Sequence, residues 1–208
     1  DIPAHVDNIF STNLCTTICK GKQHTVSTIE HLMAAFFGLG VDNAIVKINS
    51  HEMPILDGSS APFVDKLTEV GIQRQNIKRK FLRLKKSFQV NIEDQYISYD
   101  PPAENKENTF LIKCTINFPR SEIIGSQSLG LTFNTENFMS LCEARTFCHI
   151  DDVNFMRKQG LAIGGSLDNA IVVNQKKILN NDGLRYHDEF VRHKLLDCIG
   201  DLALLGGR

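Results

Sequence analysis

Two stripes at helical spacing run through residues 188–205, and this double pattern constrains the fold more than any other segment. Val191, Leu195, Ile199 and Leu202 recur at three- and four-residue steps, so a helix here must bury one face against a further layer. His193, Asp197 and Asp201 recur every four residues on another face, with Lys194 beside them. An imidazole and two carboxylates in a row are unusual on a face that merely meets solvent, where Glu and Lys are more typical. The plain reading is nevertheless a solvated or hydrogen-bonded face. The chemical reading is that His193 and Asp197 are two metal-compatible groups on one rigid surface, needing a third ligand from elsewhere to form a zinc site with an open position.

A candidate third ligand lies far upstream in Ser27-Thr28-Ile29-Glu30-His31. His31 would complete a His, His, Asp set with a fourth tetrahedral position for water, and Glu30 is a carboxylate able to take a proton from it. Glu30 has a competing role, because Ser27-Thr28-Ile29-Glu30 has the form of a capping box in which Glu30 simply bonds the helix start. The residues by themselves favour the cap.

Around these segments the pattern alternates between helix and strand. It predicts a helix over Thr28–Phe37 ended by Gly38-Leu39-Gly40, a strand over Asn43–Ile48, a turn at Asp57-Gly58 and a helix over Ala61–Val70 opened by Pro62 and stopped by Gly71. Residues 73–80 are polar and read as a linker. Leu82, Leu84, Phe88, Val90 and Ile92 share a parity, so the basic run Lys78, Arg79, Lys80, Arg83, Lys85 and Lys86 reads as the solvated face of a strand over Phe81–Ile92 rather than as a phosphate site. Strands follow over Gln95–Tyr99, Thr109–Phe118 and Ala170–Val173, with helices over Glu136–Glu143, Asp151–Gln159 and Asp188–Leu205.

The chain has 208 residues, 42% of them hydrophobic and 23% charged, which is enough to bury a core and ordinary for a globular protein. A net charge of -1 argues against a general affinity for nucleic acid. No apolar run is long enough for a bilayer span, and Asp1 does not open a signal peptide. None of the six cysteines forms a C-x-x-C pair, and most sit in apolar segments, so reduced thiols in a cytoplasmic, monomeric protein are expected.

Ser27-Thr28-Ile29-Glu30-His31-Leu32-Met33-Ala34-Ala35 and Gly38-Leu39-Gly40-Val41-Asp42-Asn43 resemble the UDP-3-O-acyl-N-acetylglucosamine deacetylases, which catalyse the committed step of lipid A synthesis in Gram-negative bacteria. The similarity continues in Met53-Pro54-Ile55-Leu56-Asp57-Gly58-Ser59 and Ala144-Arg145-Thr146-Phe147. It is densest in Gly164-Gly165-Ser166-Leu167-Asp168-Asn169-Ala170-Ile171-Val172-Val173 and from Leu179-Asn180 to Gly200-Asp201.

The resemblance implies an α+β fold of two similar two-layer sandwich domains with the active site between them and terminal strands missing. The first domain would cover residues 1–76 and the second 77–208, with an acyl-chain insert near 147–172. It further implies Zn2+ held by His31, His193 and Asp197, with Glu30 as general base, Thr146 stabilising the oxyanion and Asp201 as a supporting carboxylate. Lys194, Phe147 and Cys15 are implied in substrate binding, and Val153, Ala162, Leu167 and Val172 as lining of the acyl passage. The partner would be the lipid-bearing sugar nucleotide, with no nucleic acid and no stable membrane insertion.

Family members also carry about fifty further residues at the start, and a later histidine thought to protonate the leaving amine. No His follows His193 here, and His24, His51, His149 and His187 do not match that motif. The start at Asp1 and the end at Gly206-Gly207-Arg208 therefore lead to the expectation of a fragment. Two rival readings remain open at this point: a non-catalytic zinc or UDP-sugar-binding remnant, and a structural module that contains no zinc.

Overall fold

A computed structural model describes residues 1–21, 23–102, 109–153 and 164–207. The fold is α+β. A 3-10 turn at Val6–Asn8 leads into β1 (Ile9–Ser11), β2 (Thr17–Lys20) and β3 (His24–Val26), an antiparallel sheet in that order. Helices α1 (Glu30–Leu39) and α2 (Ala61–Val70) follow. Next come the antiparallel hairpins β4 (Phe88–Ile92) with β5 (Gln95–Tyr99), and β6 (Leu111–Phe118) with β7 (Gly125–Thr132). A short helix α3 (Thr135–Met139), the parallel pair β8 (Phe147–His149) and β9 (Ile171–Val173), and the long helix α4 (Glu189–Ala203) complete the order.

The α1–α4 pair organises the rest. Phe37, Ala34 and Ala35 of α1 meet Leu195, Leu196 and Ile199 of α4 in one apolar cluster with Val64 of α2 and Phe138 of α3. Phe190 and Val191, at the start of α4, pack instead with Ile116, Ile171 and Val173 from the strands and with Ile124 in the turn before β7. A third cluster, Ile18, Ile29, Leu32, Met53 and Leu204, lies where β2 and α1 meet the end of α4. Helix α4 is therefore apolar on a wider arc than its sequence stripe suggested, and Leu202 is only partly buried.

Gly200 sets how closely the two helices approach. A Cβ there would stand 2.1 Å from the Glu30 carbonyl oxygen and 3.2 Å from the Ala34 nitrogen, both backbone atoms that cannot turn aside. Gly200→Ala is expected to push α1 from α4 and cost about 1–3 kcal/mol, the usual scale of overpacking. Denaturant unfolding reads the loss directly, and a midpoint equal to that of the parent would contradict this packing account.

The predicted helices over Thr28–Phe37 and Ala61–Val70 are found, the first two residues late. The closing helix and the strands over Gln95–Tyr99, Thr109–Phe118 and Ala170–Val173 also appear, several slightly shorter. Other expectations fail for identifiable reasons. Asn43–Ile48 is not a strand: Ile45 is 89% exposed, and strand-forming residues without a pairing partner among the described residues do not make a ladder. Only Phe88–Ile92 of the expected Phe81–Ile92 strand is paired, and Leu82, Leu84, Phe88, Val90 and Ile92 are all exposed, so no buried face backs the charged one.

Helix α3 is shorter than Glu136–Glu143. Asn134 caps it by accepting from the Asn137 N–H at 2.7 Å, and regular helix ends at Met139. Strand β7 escaped notice because Gly-Ser-Gln-Ser-Leu-Gly-Leu-Thr has little strand propensity, yet it pairs with β6 along its full length. Of the helix expected at 151–159, residues 151–153 are helical and the rest lie outside the described residues. The expected linker falls in the stretch between α2 and β4, which holds neither helix nor strand. No helix among the described residues is long and apolar enough to cross a membrane, and all six cysteines are free.

Candidate metal centre

The close crossing at Gly200 brings the first turn of α1 against the polar stripe of α4. His31 and His193 lie edge to face, with ring centroids 5.0 Å apart and planes at 80°. Their Nε2 atoms stand 3.6 Å and 3.4 Å from one atom, Oδ1 of Asp197. One donor atom from each of the three residues fits within a 4.8 Å span, and both histidines are buried.

Hydrogen bonding decides what faces what. Nδ1 of His193 lies 2.9 Å from the Ala144 carbonyl oxygen. A carbonyl can only accept, so Nδ1 carries the proton, and in the neutral ring Nε2 presents its lone pair. Burial, with Lys194 nearby, holds the His193 pKa below the ordinary histidine value despite the pull of Asp197, so the ring is neutral. His31 is pushed down to about 4 by burial and by His193.

Asp197 is driven up by burial, but His193, Lys194 and His31 together outweigh that effect and keep it ionised. Its Oδ1 is buried and has no hydrogen-bond partner among the described residues. A carboxylate oxygen facing imidazole lone pairs is unfavourable as it stands, because a buried ionised oxygen left unpaired is costly. A cation among the three atoms removes that cost. Two imidazole nitrogens and one carboxylate oxygen are a donor set that suits zinc and leaves a position open.

Glu30 is the first residue of α1, and the capping box does not form. Ile29 occupies the cap position with no side-chain hydrogen bond, Thr28 takes a left-handed backbone with φ 59, and the Thr17 hydroxyl donates to Ser27. The Glu30 carboxylate instead accepts from the Thr16 N–H at 3.1 Å, and the Thr16 hydroxyl donates to Asp201 Oδ1 at 2.7 Å. Burial, then the charge of Asp197, raises Glu30 to about 7.

That shift has a sign. The folded chain holds the Glu30 proton more tightly than the unfolded chain, so stability is full below about pH 4.5 and is lost as pH rises through about 7. In the metal-free protein, Glu30→Gln is expected to add about 2–3 kcal/mol at pH 8 and almost nothing at pH 4. Equal gains at both pH values in denaturant titrations would contradict the assignment.

The other site residues predicted from sequence divide into those near this centre and those away from it. Lys194 Nζ donates to Asp197 Oδ2 at 3.0 Å and lies 5.4 Å from the centre of the Phe147 ring, and Asp197 holds its pKa above the usual lysine value. Phe147 also packs at 6.4 Å from the His193 ring. Thr146 lies two residues beyond Ala144, whose carbonyl bonds His193, and its own N–H donates to Gly58 O at 2.8 Å. Gly58 has φ +83, and a Cβ there would meet Asn169 O at 2.1 Å, so this turn accepts no larger residue.

Cys15 precedes Thr16 and lies half-buried, 3.8 Å from the Thr17 hydroxyl. Among the expected passage residues, Val172 is buried in β9, Val153 is half-buried, Leu167 is exposed and Ala162 lies outside the described residues. Thr16, Ala144 and Gly200 were not read from the sequence as site residues. Ala144 and Gly200 contribute a carbonyl and close approach, which leave no mark on residue type, and Thr16 adds to its N–H a hydroxyl whose partner Asp201 is far away in sequence.

The family model of LpxC, UDP-3-O-acyl N-acetylglycosamine deacetylase, matches residues 1–208. A relative in Teredinibacter turnerae named UDP-3-O-acyl-N-acetylglucosamine deacetylase is 45% identical over 208 residues, covering 99% of this chain and 67% of its own length. Relatives of the same name in Idiomarina loihiensis and Methylococcus capsulatus are 43% and 44% identical, each with 99% of this chain and 66% of the relative covered. The chain thus spans about two thirds of the length of these curated relatives. With the match running from the first residue to the last, the chain belongs to the UDP-3-O-acyl N-acetylglycosamine deacetylase family.

Proposed function

We propose that the protein hydrolyses the N-acetyl group of UDP-3-O-acyl-N-acetylglucosamine, giving the free amine and acetate, as a zinc-dependent step of lipid A synthesis in the cytoplasm. The observation that carries the metal part is the unpartnered Asp197 Oδ1 facing the two imidazole Nε2 atoms, with a buried carboxylate of raised pKa beside it. The names of the relatives supply the substrate. When bound, zinc supplies a Lewis acid for the acetyl carbonyl.

The remaining work falls to side chains of this chain. His31, His193 and Asp197 hold the cation. Glu30, steadied by Thr16, takes a proton from the attacking water, and a pKa near 7 lets it give that proton up again as the C–N bond breaks. Thr146 stands by the developing oxyanion, and Asp201 fixes Thr16 from the other side. The ammonium of Lys194, held by Asp197 beside the Phe147 ring, offers a positive charge to the sugar nucleotide.

Cys15, Val153, Leu167 and Val172, with Ala162, are the proposed contacts for the rest of the substrate. The organisation is that of two domains, 1–76 and 77–208, meeting at this centre in a monomer. The test is acetate release from UDP-3-O-acyl-N-acetylglucosamine. The expected result is release that a chelator stops and one equivalent of zinc restores. Release that persists unchanged in excess chelator would overturn the zinc-dependent reading.

A further inference from the structure

Arg145 and Glu189 form an ion pair with side chains 7% and 0% exposed, and none of the chemistry above uses them. Glu189, the first residue of α4, accepts at Oε1 from Arg145 Nε at 2.9 Å and from the Arg145 backbone N–H at 3.0 Å. Its Oε2 accepts from the other arm of the guanidinium at 3.2 Å and from the Arg185 N–H. The same guanidinium arm donates to Gly183 O at 2.8 Å. Both oxygens of a fully buried carboxylate are thereby satisfied.

The neighbours of this pair are the significant part. The residue before Arg145 is Ala144, whose carbonyl fixes the tautomer of His193, and the residue after it is Thr146. Glu189 and His193 are one helical turn apart on α4, on the same face. Helix α4 therefore grips consecutive residues of one segment at two points, Ala144 through His193 and Arg145 through Glu189. The Thr146 N–H, bonded to Gly58 O, pins the far side. Shifting Arg145 moves the Ala144 carbonyl with it, since one peptide plane joins them.

We propose that Arg145 and Glu189 are positioning residues that hold the Ala144 carbonyl, and through it the His193 imidazole, in the orientation the metal requires. A buried ion pair contributes little net stability compared with apolar residues of similar size, so geometry is the better reason for one here. Arg suits the task because its planar fork fixes direction, which a lysine ammonium does not. The proposal rests on the reading of His193 as a ligand.

The test compares Glu189→Gln, Arg145→Lys and the double variant Arg145→Met/Glu189→Leu with the parent. Zinc affinity is read by competition with a chromophoric chelator, and ligand geometry by the visible absorption of the cobalt form. The double variant guards against a folding defect, because apolar replacement of a buried pair is tolerated. The expected result is about tenfold weaker zinc binding in all three, at the lower end of what disturbing a ligand's hydrogen-bond partner costs. An altered cobalt spectrum is expected with it, and no rescue by lysine. Lower melting temperatures with parental zinc affinity and cobalt spectrum overturn the proposal alone and leave the pair a purely structural one. Failure of the parent to bind zinc overturns the metal reading as well.

Discussion

Replacing Asp197 with alanine is expected to abolish stoichiometric zinc binding while the chain remains folded. In the proposed site the carboxylate would supply one of three ligand atoms and the sole negative charge among them, opposite two neutral imidazoles. Its loss therefore exceeds the roughly 10–100-fold typical of disturbing a supporting hydrogen bond, and binding should weaken by well over about a hundredfold. The fold should survive, since among the described residues Oδ1 makes no hydrogen bond whose loss strands another buried group. Lys194 loses its partner, but its side chain reaches solvent and can be hydrated. Zinc content measured after gel filtration, beside circular dichroism, checks both halves. Unchanged stoichiometry in a folded variant sinks the ligand assignment.

The second large effect is on rate. Glu30→Gln keeps the shape of the side chain and can still accept from the Thr16 N–H, but it cannot take a proton. Acetate release should fall by about 10²–10⁴, the usual contribution of a general base, with zinc retained. This variant separates two readings that the sequence left competing. A capping glutamate replaced by glutamine still caps a helix, so the rate would barely move. A zinc-loaded variant within about tenfold of the parent rate would remove Glu30 from the chemistry.

The absence of the capping box shows where sequence reading stops. Ser27-Thr28-Ile29-Glu30 has the right letters, but Thr28 adopts a left-handed backbone and the Thr17 hydroxyl donates to Ser27. Glu30 consequently reaches across to Thr16, fourteen residues upstream. Local spacing identified α4, its apolar stripe and the His193–Asp197 pair, because helical periodicity is a property of neighbours. Residue type alone makes His31 only a candidate third ligand, and the resemblance adds weight to it, since no local signal joins residues so far apart. Thr16 meets Asp201 across a sequence separation of 185 residues.

The supporting contacts were invisible for a further reason. Ala144 contributes a carbonyl and Gly200 contributes the lack of a side chain, and both would read alike in any apolar segment. Strand errors share one cause. Asn43–Ile48 is rich in strand formers and Phe81–Ile92 alternates, but each records a preference that only a pairing partner realises. Strand β7 is the converse, weak by composition and held in register by β6.

The most direct test of the central claim is X-ray absorption at the zinc edge of the chain loaded with one equivalent of metal. The account predicts scattering from two imidazoles at about 2.0–2.1 Å, completed by oxygen and without sulfur. A shell containing sulfur at about 2.3 Å, from Cys15 or any other of the six free thiols, would contradict it, as would a shell of oxygen alone.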